Sequence, residues 1–219
     1  MGIVRFCYSG RQGVFSQTEE DKMSEIFGVR EAFAEIFAAY NASVWPMQII
    51  TYALGIAAVI LAVKKTSFSD RIISGILAFL WLWAGIVWSL IFFCPYKFVY
   101  CMAAVILVVQ GLLLFMFGFG VGLRPSLSFK FRGDSYSIIG GLAILYVLVL
   151  YPIIGGLSGW AYPQGPIFGV APCPVCVFTL GMLLLAGKRV PVPILIIPLL
   201  WSLLGVAAAR RFGIYADLG

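Results

Sequence analysis

From residue 44 onward the chain alternates between long apolar runs and short connectors that carry nearly all of its charge. The runs cover residues 44–63, 72–93, 99–121, 138 to about 158, 173–187 and 190–208. Crossing a hydrocarbon layer roughly 30 Å thick takes about 20 residues of helix. All but one of these runs are therefore of spanning length. The exception, 173–187, has 15 residues, which is about 22 Å of helix at about 1.5 Å per residue. It either spans with help from residue 167 onward or dips in and returns. The pattern predicts an all-α, polytopic transmembrane helix bundle with five or six spans, six preferred, and an N-terminal interfacial amphipathic helix.

That surface helix is read from "MSEIFGVREAFAEIFAAYN", beginning at Met23. Ile26, Phe27, Arg30, Phe33, Phe37 and Tyr40 recur there at helical spacing, while Glu25, Glu31 and Glu35 crowd another side. Residues 1–22 lack periodicity and are predicted to be a loose, dispensable tail. Residues 23–211 form a single transmembrane domain, and 212–219 a short C-terminal tail. Trp45 marks an interface, with Pro46 near the first helical turn, where a missing N–H costs nothing. Only "CPYKF" joins the second and third runs, which forces an antiparallel hairpin. Pro152 with Gly155 and Gly156 predicts a kink late in the fourth run. No Asp, Glu, Lys or Arg occurs from Ser135 to Gly187, even across "GWAYPQGPIFGVAPCPVC", where Gly and Pro forbid one regular helix. An uncharged irregular stretch beside apolar runs reads as tucked into protein.

Composition agrees with a lipid solvent: 62% of the residues are hydrophobic and 11% charged, with a mean hydropathy of +1.03. The net charge of +6 would point to nucleic acid in a soluble protein. Here the basic residues sit in connectors and act as topology signals, so lipid and not nucleic acid is the expected partner. Counted from Met23 for six spans, Lys64, Lys65, Arg71, Arg124, Lys130, Arg132, Lys188 and Arg189 share one face, against Arg30, Lys97, Arg210 and Arg211 on the other. The first face is cytoplasmic. With five spans the pairs 188/189 and 210/211 exchange sides and the count is the same. Both versions put the CPYKF turn and residues 159–176 outside. The chain has no histidine, which removes imidazole acid–base chemistry, His-ligated haem and His-containing zinc sites.

Cys94, Cys101, Cys173 and Cys176 all approach the outer face. A cysteine pair at a helix start, as in "CPVC", meets unpaired backbone N–H groups that lower a thiol pKa, and to that motif alone the chain is similar to quinone-coupled disulfide-forming membrane proteins. Cys173 and Cys176 are accordingly the candidate catalytic residues of a thiol–disulfide oxidoreductase. The competing reading makes them small apolar residues in a membrane helix, with Pro172 and Pro174 shaping a break and a helix start. A four-thiolate zinc site is the weakest option, because Lys97 is the single cation available to offset its charge. No metal or other cofactor is expected.

Trp81, Trp83 and Trp88 lie near mid-membrane, and Trp81 and Trp88, two helical turns apart, predict one shared face. They are either a cavity wall or ordinary aromatic packing. Gln110, with Asn41 and Gln48, supplies intramembrane amides that glue helices or bind a ligand. No clear apolar run has an acid or base in its interior, which weighs against ion pumps and proton-coupled carriers. A path for a small neutral solute through broken helices is placed in the Pro152–Cys176 region. Trp81, Trp88, Gln110, Pro152 and Pro172 are its candidate ligand-binding residues.

The strings "EIFAAYNASVWPMQ" and "PIFGVAPCPVCVFTLGMLLL" resemble a family of small bacterial integral-membrane proteins, domain of unknown function six-zero-six-four, over about 23–211. The resemblance implies a multi-pass protein of a bacterial inner membrane with no assigned activity. It also implies that a hydroxyl residue often stands at the position of Cys176, so that CxxC is not the shared feature. The reading that results is a non-enzymatic permeation or binding module for a small neutral or apolar solute. The alternatives are the oxidoreductase and a structural partner of another membrane protein.

Overall fold

The computed structural model describes residues 30–120, 127–186 and 190–212, and the regular structure over these is helical, with one isolated antiparallel bridge between Phe129 and Ala186. Seven helices follow one another: α1 (Arg30–Ser43), α2 (Met47–Val63), α3 (Ser69–Phe93), α4 (Phe98–Phe119), α5 (Ser135–Leu157), α6 (Pro172–Leu184) and α7 (Val192–Phe212). Of these, α3, α4 and α5 are long and apolar enough to cross a membrane, and α1 with α2, bent by 81°, makes a fourth if the pair is one span. The fourth case departs from the expected 44–63 run. Residues 44–46 form a turn, and the helix begins at Met47, after Pro46. The residues expected to open the surface helix, 23–29, lie outside the described part. From Arg30 on, Phe37, Tyr40 and Asn41 are buried while Glu31 and Glu35 are exposed.

Two of the helices widen into π-helix, α3 over Ala84–Phe93 and α5 over Tyr146–Leu150. The second stretch has a local cause. Pro152 has no N–H to give the carbonyl of Leu148, and its ring would press on that carbonyl in an α-helix. A π-turn immediately upstream re-pairs the backbone, with the Tyr151 N–H donating to Tyr146 five residues back. The helix then runs on through Gly155 and Gly156 to Leu157.

Small residues set the closest approaches. A Cβ on Gly111 of α4 would lie 2.7 Å from Leu82 Cγ of α3, and one on Gly118 would overlap Ser74. Between α5 and α6, a Cβ on Gly140 would lie 2.6 Å from the Gly181 carbonyl oxygen. Without a hydrophobic drive between apolar helices in lipid, such backbone-close contacts are what hold a bundle together. Large side chains such as Ile106, Leu142, Leu200 and Leu203 point outward instead.

α6 is the most enclosed element, with Val175, Cys176, Phe178, Thr179, Met182 and Leu183 buried. It begins beside α1, whose Tyr40 hydroxyl donates to the Val170 carbonyl at 2.7 Å. At its far end the Lys130 N–H donates to the Leu185 carbonyl at 3.0 Å, and the Phe131 N–H to the Ala62 carbonyl at 3.2 Å. Asp70 completes that end, accepting from Lys65 Nζ at 3.0 Å and from the Phe129 N–H at 2.8 Å. The 13 residues of α6, about 20 Å of helix, thus connect the two ends of the bundle. They do not return to the end they started from.

Candidate binding cavity

A cavity of about 280 Å³ opens at the α1 end of the bundle. Gln48 and Tyr52 of α2 and Trp45 of the preceding turn form one wall, Tyr151 and Pro152 of α5 another. The irregular connector between α5 and α6 closes it with Trp160, Tyr162, Pro166, Ile167 and Phe168. Six of these ten residues are aromatic and none is charged. Trp45 and Tyr162, each 58% exposed, form the rim.

The connector is irregular, so its backbone carbonyls need partners that no helix supplies. α1 and α2 supply them. Asn41 Nδ2 donates to the carbonyls of Pro163 at 2.6 Å and Gly165 at 2.9 Å. Arg30 Nη2 donates to Ser158 O at 3.1 Å, and its guanidinium lies 5.3 Å from the centre of the Trp160 ring, a cation–π contact. Thr51 Oγ1 donates to Phe168 O at 3.1 Å. Gly169, at φ +84°, lies so close to Thr51 that any Cβ there would overlap its side chain. Gln48 Nε2 donates to the Asn41 carbonyl at 2.7 Å and so braces the bend between α1 and α2.

Of the five residues predicted to bind a ligand, only Pro152 lines this cavity. Pro172 is buried at the start of α6. Trp81 lies in the central core, its indole N–H donating to Thr179 Oγ1 at 2.8 Å. Trp88 belongs to a second cluster with Phe37, Tyr40 and Phe93, stacked on Phe93 at 4.4 Å. The two thus pack in separate clusters, and the chain turns π-helical at Ala84 between them, where each residue winds through a smaller angle. Gln110 is fully buried between α4 and α7, with Nε2 donating to Ile194 O at 3.0 Å.

The four cysteines expected at the outer face divide into two pairs. Cys94 and Cys101, at the facing ends of α3 and α4, form a disulfide. Disulfide sulfurs are not thiolate ligands, so the chain does not present four thiolates together. Cys173 and Cys176 remain thiols. Cys176 is buried, its S–H donating to the Pro198 carbonyl at 3.0 Å, with Ser202 Oγ at 3.3 Å.

The family model named "Family of unknown function (DUF6064)" matches residues 30–219. The chain belongs to the DUF6064 family. The match takes in the whole of the cavity wall and Cys94, Cys101, Cys173 and Cys176. No curated protein and no solved structure matches the chain. The side chains that position the cavity loop, Arg30, Tyr40 and Thr51, carry no motif. The density of aromatic residues in "GWAYPQGPIF" was the signal available for the wall itself.

Proposed function

We propose that this DUF6064 member is a multi-pass membrane protein that binds a small neutral or apolar solute in the aromatic cavity, as a binding or permeation module and not as an enzyme. The observation that carries the reading is a concave wall of six aromatic side chains without any charged one, the character of a site for an uncharged ligand. In this reading α2 to α7 cross the bilayer six times and α1 lies along the outer interface. Lys64, Lys65, Arg71, Lys130 and Arg132 then sit on the cytoplasmic side, as the excess of positive charge requires. The cavity opens on the other side, and a bacterial inner membrane is the location implied by the family resemblance.

The test is equilibrium dialysis of 1-methoxynaphthalene against the protein in nanodiscs, with empty nanodiscs subtracted. The expected result is a saturable excess of about one molecule per chain, lost when Ile167→Trp fills the cavity while thermal unfolding stays close to that of the wild type. Absence of any saturable excess defeats the reading.

A thiol–disulfide oxidoreductase is the second reading, favoured by a disulfide and two thiols at one end of the bundle. The buried Cys176 S–H, held by the Pro198 carbonyl, weighs against it, since thiol exchange needs an accessible thiolate. Trapping of thiols in intact cells, followed by counting of modified cysteines, separates the two: a 173–176 disulfide that responds to the quinone pool would establish the second.

A further inference from the structure

The end of the bundle away from the cavity gathers five cationic side chains: Lys64 and Lys65 after α2, Arg71 in the first turn of α3, and Lys130 and Arg132 in the segment before α5. Backbone hydrogen bonds bring them together. The Phe131 N–H donates to the Ala62 carbonyl at 3.2 Å, which sets Lys130 and Arg132 beside the residues that lead into Lys64. Asp70 accepts from the Phe129 N–H at 2.8 Å, which draws the start of α3 to the same segment. Two of the five cations are committed. Lys65 Nζ donates to Asp70 Oδ1 at 3.0 Å and to Ser128 Oγ at 2.5 Å. Arg132 pairs with Asp134 at 3.4 Å and donates to the Ala186 carbonyl at 3.5 Å. Among the described residues Asp70 and Asp134 are the carboxylates of this end, so both are already matched. Lys64, Arg71 and Lys130 are exposed, and their side chains have neither an ion pair nor a hydrogen bond among the described residues.

We infer that this end binds an anionic phospholipid, with Lys64 and Lys130 receiving its phosphate diester and the apolar groups beside them receiving the glycerol and upper acyl carbons. An unpaired cationic face alone is compatible with water. Here it is interleaved with exposed apolar groups: Val63 directly before Lys64, Phe68 in the connector between Lys65 and Arg71, at 64% exposure, and Phe131 between Lys130 and Arg132. A phospholipid places a phosphate immediately above hydrocarbon, so cations next to exposed rings match both of its parts. A water-soluble anion would use the lysines and leave the rings in water. A zwitterionic lipid would cover the rings, but its own ammonium already neutralises its phosphate. Basic clusters at the cytoplasmic ends of spanning helices are placed to meet anionic headgroups, and the proposed orientation puts this end on that side. The inference uses the membrane reading and is independent of what occupies the cavity.

The experiment is native mass spectrometry of the full chain in mixed micelles, titrated with dioleoylphosphatidylglycerol or with dioleoylphosphatidylcholine, which match in chains and differ in net charge. Wild type is expected to take up the anionic lipid with an affinity at least about fivefold higher, the contribution of one cation at an anionic lipid surface. In the double variant Lys64→Gln, Lys130→Gln the ratio is expected to fall to about one, while Lys97→Gln, at the other end of the bundle, leaves it unchanged. Equal affinity of wild type for the two lipids overturns the inference, whatever the variants do. A preference that survives the double variant, or is lost in Lys97→Gln, overturns the site. Displacement of the anionic lipid by inorganic phosphate at equal concentration overturns a lipid as the occupant. Release of the chain from membranes by carbonate without detergent would defeat the membrane reading and this site with it, whereas failure of the cavity to bind a solute leaves this site standing.

Discussion

Pro198 accounts for Gln110. It lies inside α7, has no N–H, and so leaves the carbonyl of Ile194, four residues earlier, without its helical donor. In a protein interior that carbonyl needs another donor, and Gln110 Nε2 of α4 reaches it at 3.0 Å. The amide that sequence reasoning could place only as glue or ligand contact is, in the fold, the substitute for a missing backbone N–H. This predicts a specific coupling. Gln110→Leu should destabilise the protein by about 1–3 kcal/mol, the cost of a buried carbonyl left unpaired. In a Pro198→Ala background, where residue 198 can donate to Ile194, the same change should cost clearly less. Unfolding in mixed micelles, run as a double-mutant cycle, measures the difference; equal costs in the two backgrounds would show that Gln110 acts by some other contact.

Helix contacts and helix ends obey the same local accounting. Gly140 and Gly141 are adjacent in α5, yet a Cβ on the first would meet the Gly181 carbonyl at 2.6 Å, while on the second it would meet only Phe131 at 3.5 Å. Alanine is the better helix former by up to about 1 kcal/mol, so Gly141→Ala should be neutral or stabilising. Gly140→Ala must push α6 away and should cost about 1–3 kcal/mol. Thermal unfolding of the two single variants checks this, and loss of the opposite signs would mean that α5 and α6 are less tightly apposed than described. At the start of α5, Asp134 caps the helix by accepting from the Ser137 N–H at 2.9 Å. The Ser137 hydroxyl first, then that N–H, and after them the neighbouring Arg132, hold its carboxyl below the ordinary carboxylate range. A lowered folded-state pKa contributes stability that is present above the ordinary value and is lost as pH falls through the folded one. Asp134→Asn keeps a capping oxygen without the titration, so the stability difference between wild type and this variant should shrink on acidification through that window. A difference that does not change with pH would refute the role of the charge.

At the scale of the whole molecule, the runs read at 72–93, 99–121 and 138–158 return as Ser69–Phe93, Phe98–Phe119 and Ser135–Leu157, because long apolar windows bounded by charge report their own ends. The bend at 44–46 was not legible in this way. Whether Pro46 opens a helix or precedes one depends on Asn41 and Gln48, which tie α1 to α2 and to the 163–165 backbone. The cavity was legible only as a region, since an irregular connector has no period from which to assign its rings. Nor did spacing reveal that Trp81 and Trp88 join separate clusters with a π-helical stretch between them, because such a stretch cannot be recognised from apolar pattern alone.

The proposed six crossings rest on the course of α6. Its start lies with Tyr40 and Val170 and its end with Lys130 and Leu185, at opposite ends of the bundle, so α7 sets out from the end that holds Lys65 and Asp70. Six crossings then place Gln164 and Arg210 on the same side, and Lys130 on the other. With Cys7, Cys173 and Cys176 replaced and the Cys94–Cys101 disulfide kept, single cysteines at Gln164, Arg210 and Lys130 can be offered a membrane-impermeant maleimide in intact cells. All three positions are exposed, so failure to label reports sidedness and not burial. Gln164→Cys and Arg210→Cys should label at once, and Lys130→Cys only after permeabilisation. Labelling of Arg210→Cys with the Lys130 pattern would mean that the chain crosses five times and that α6 returns to the side it left.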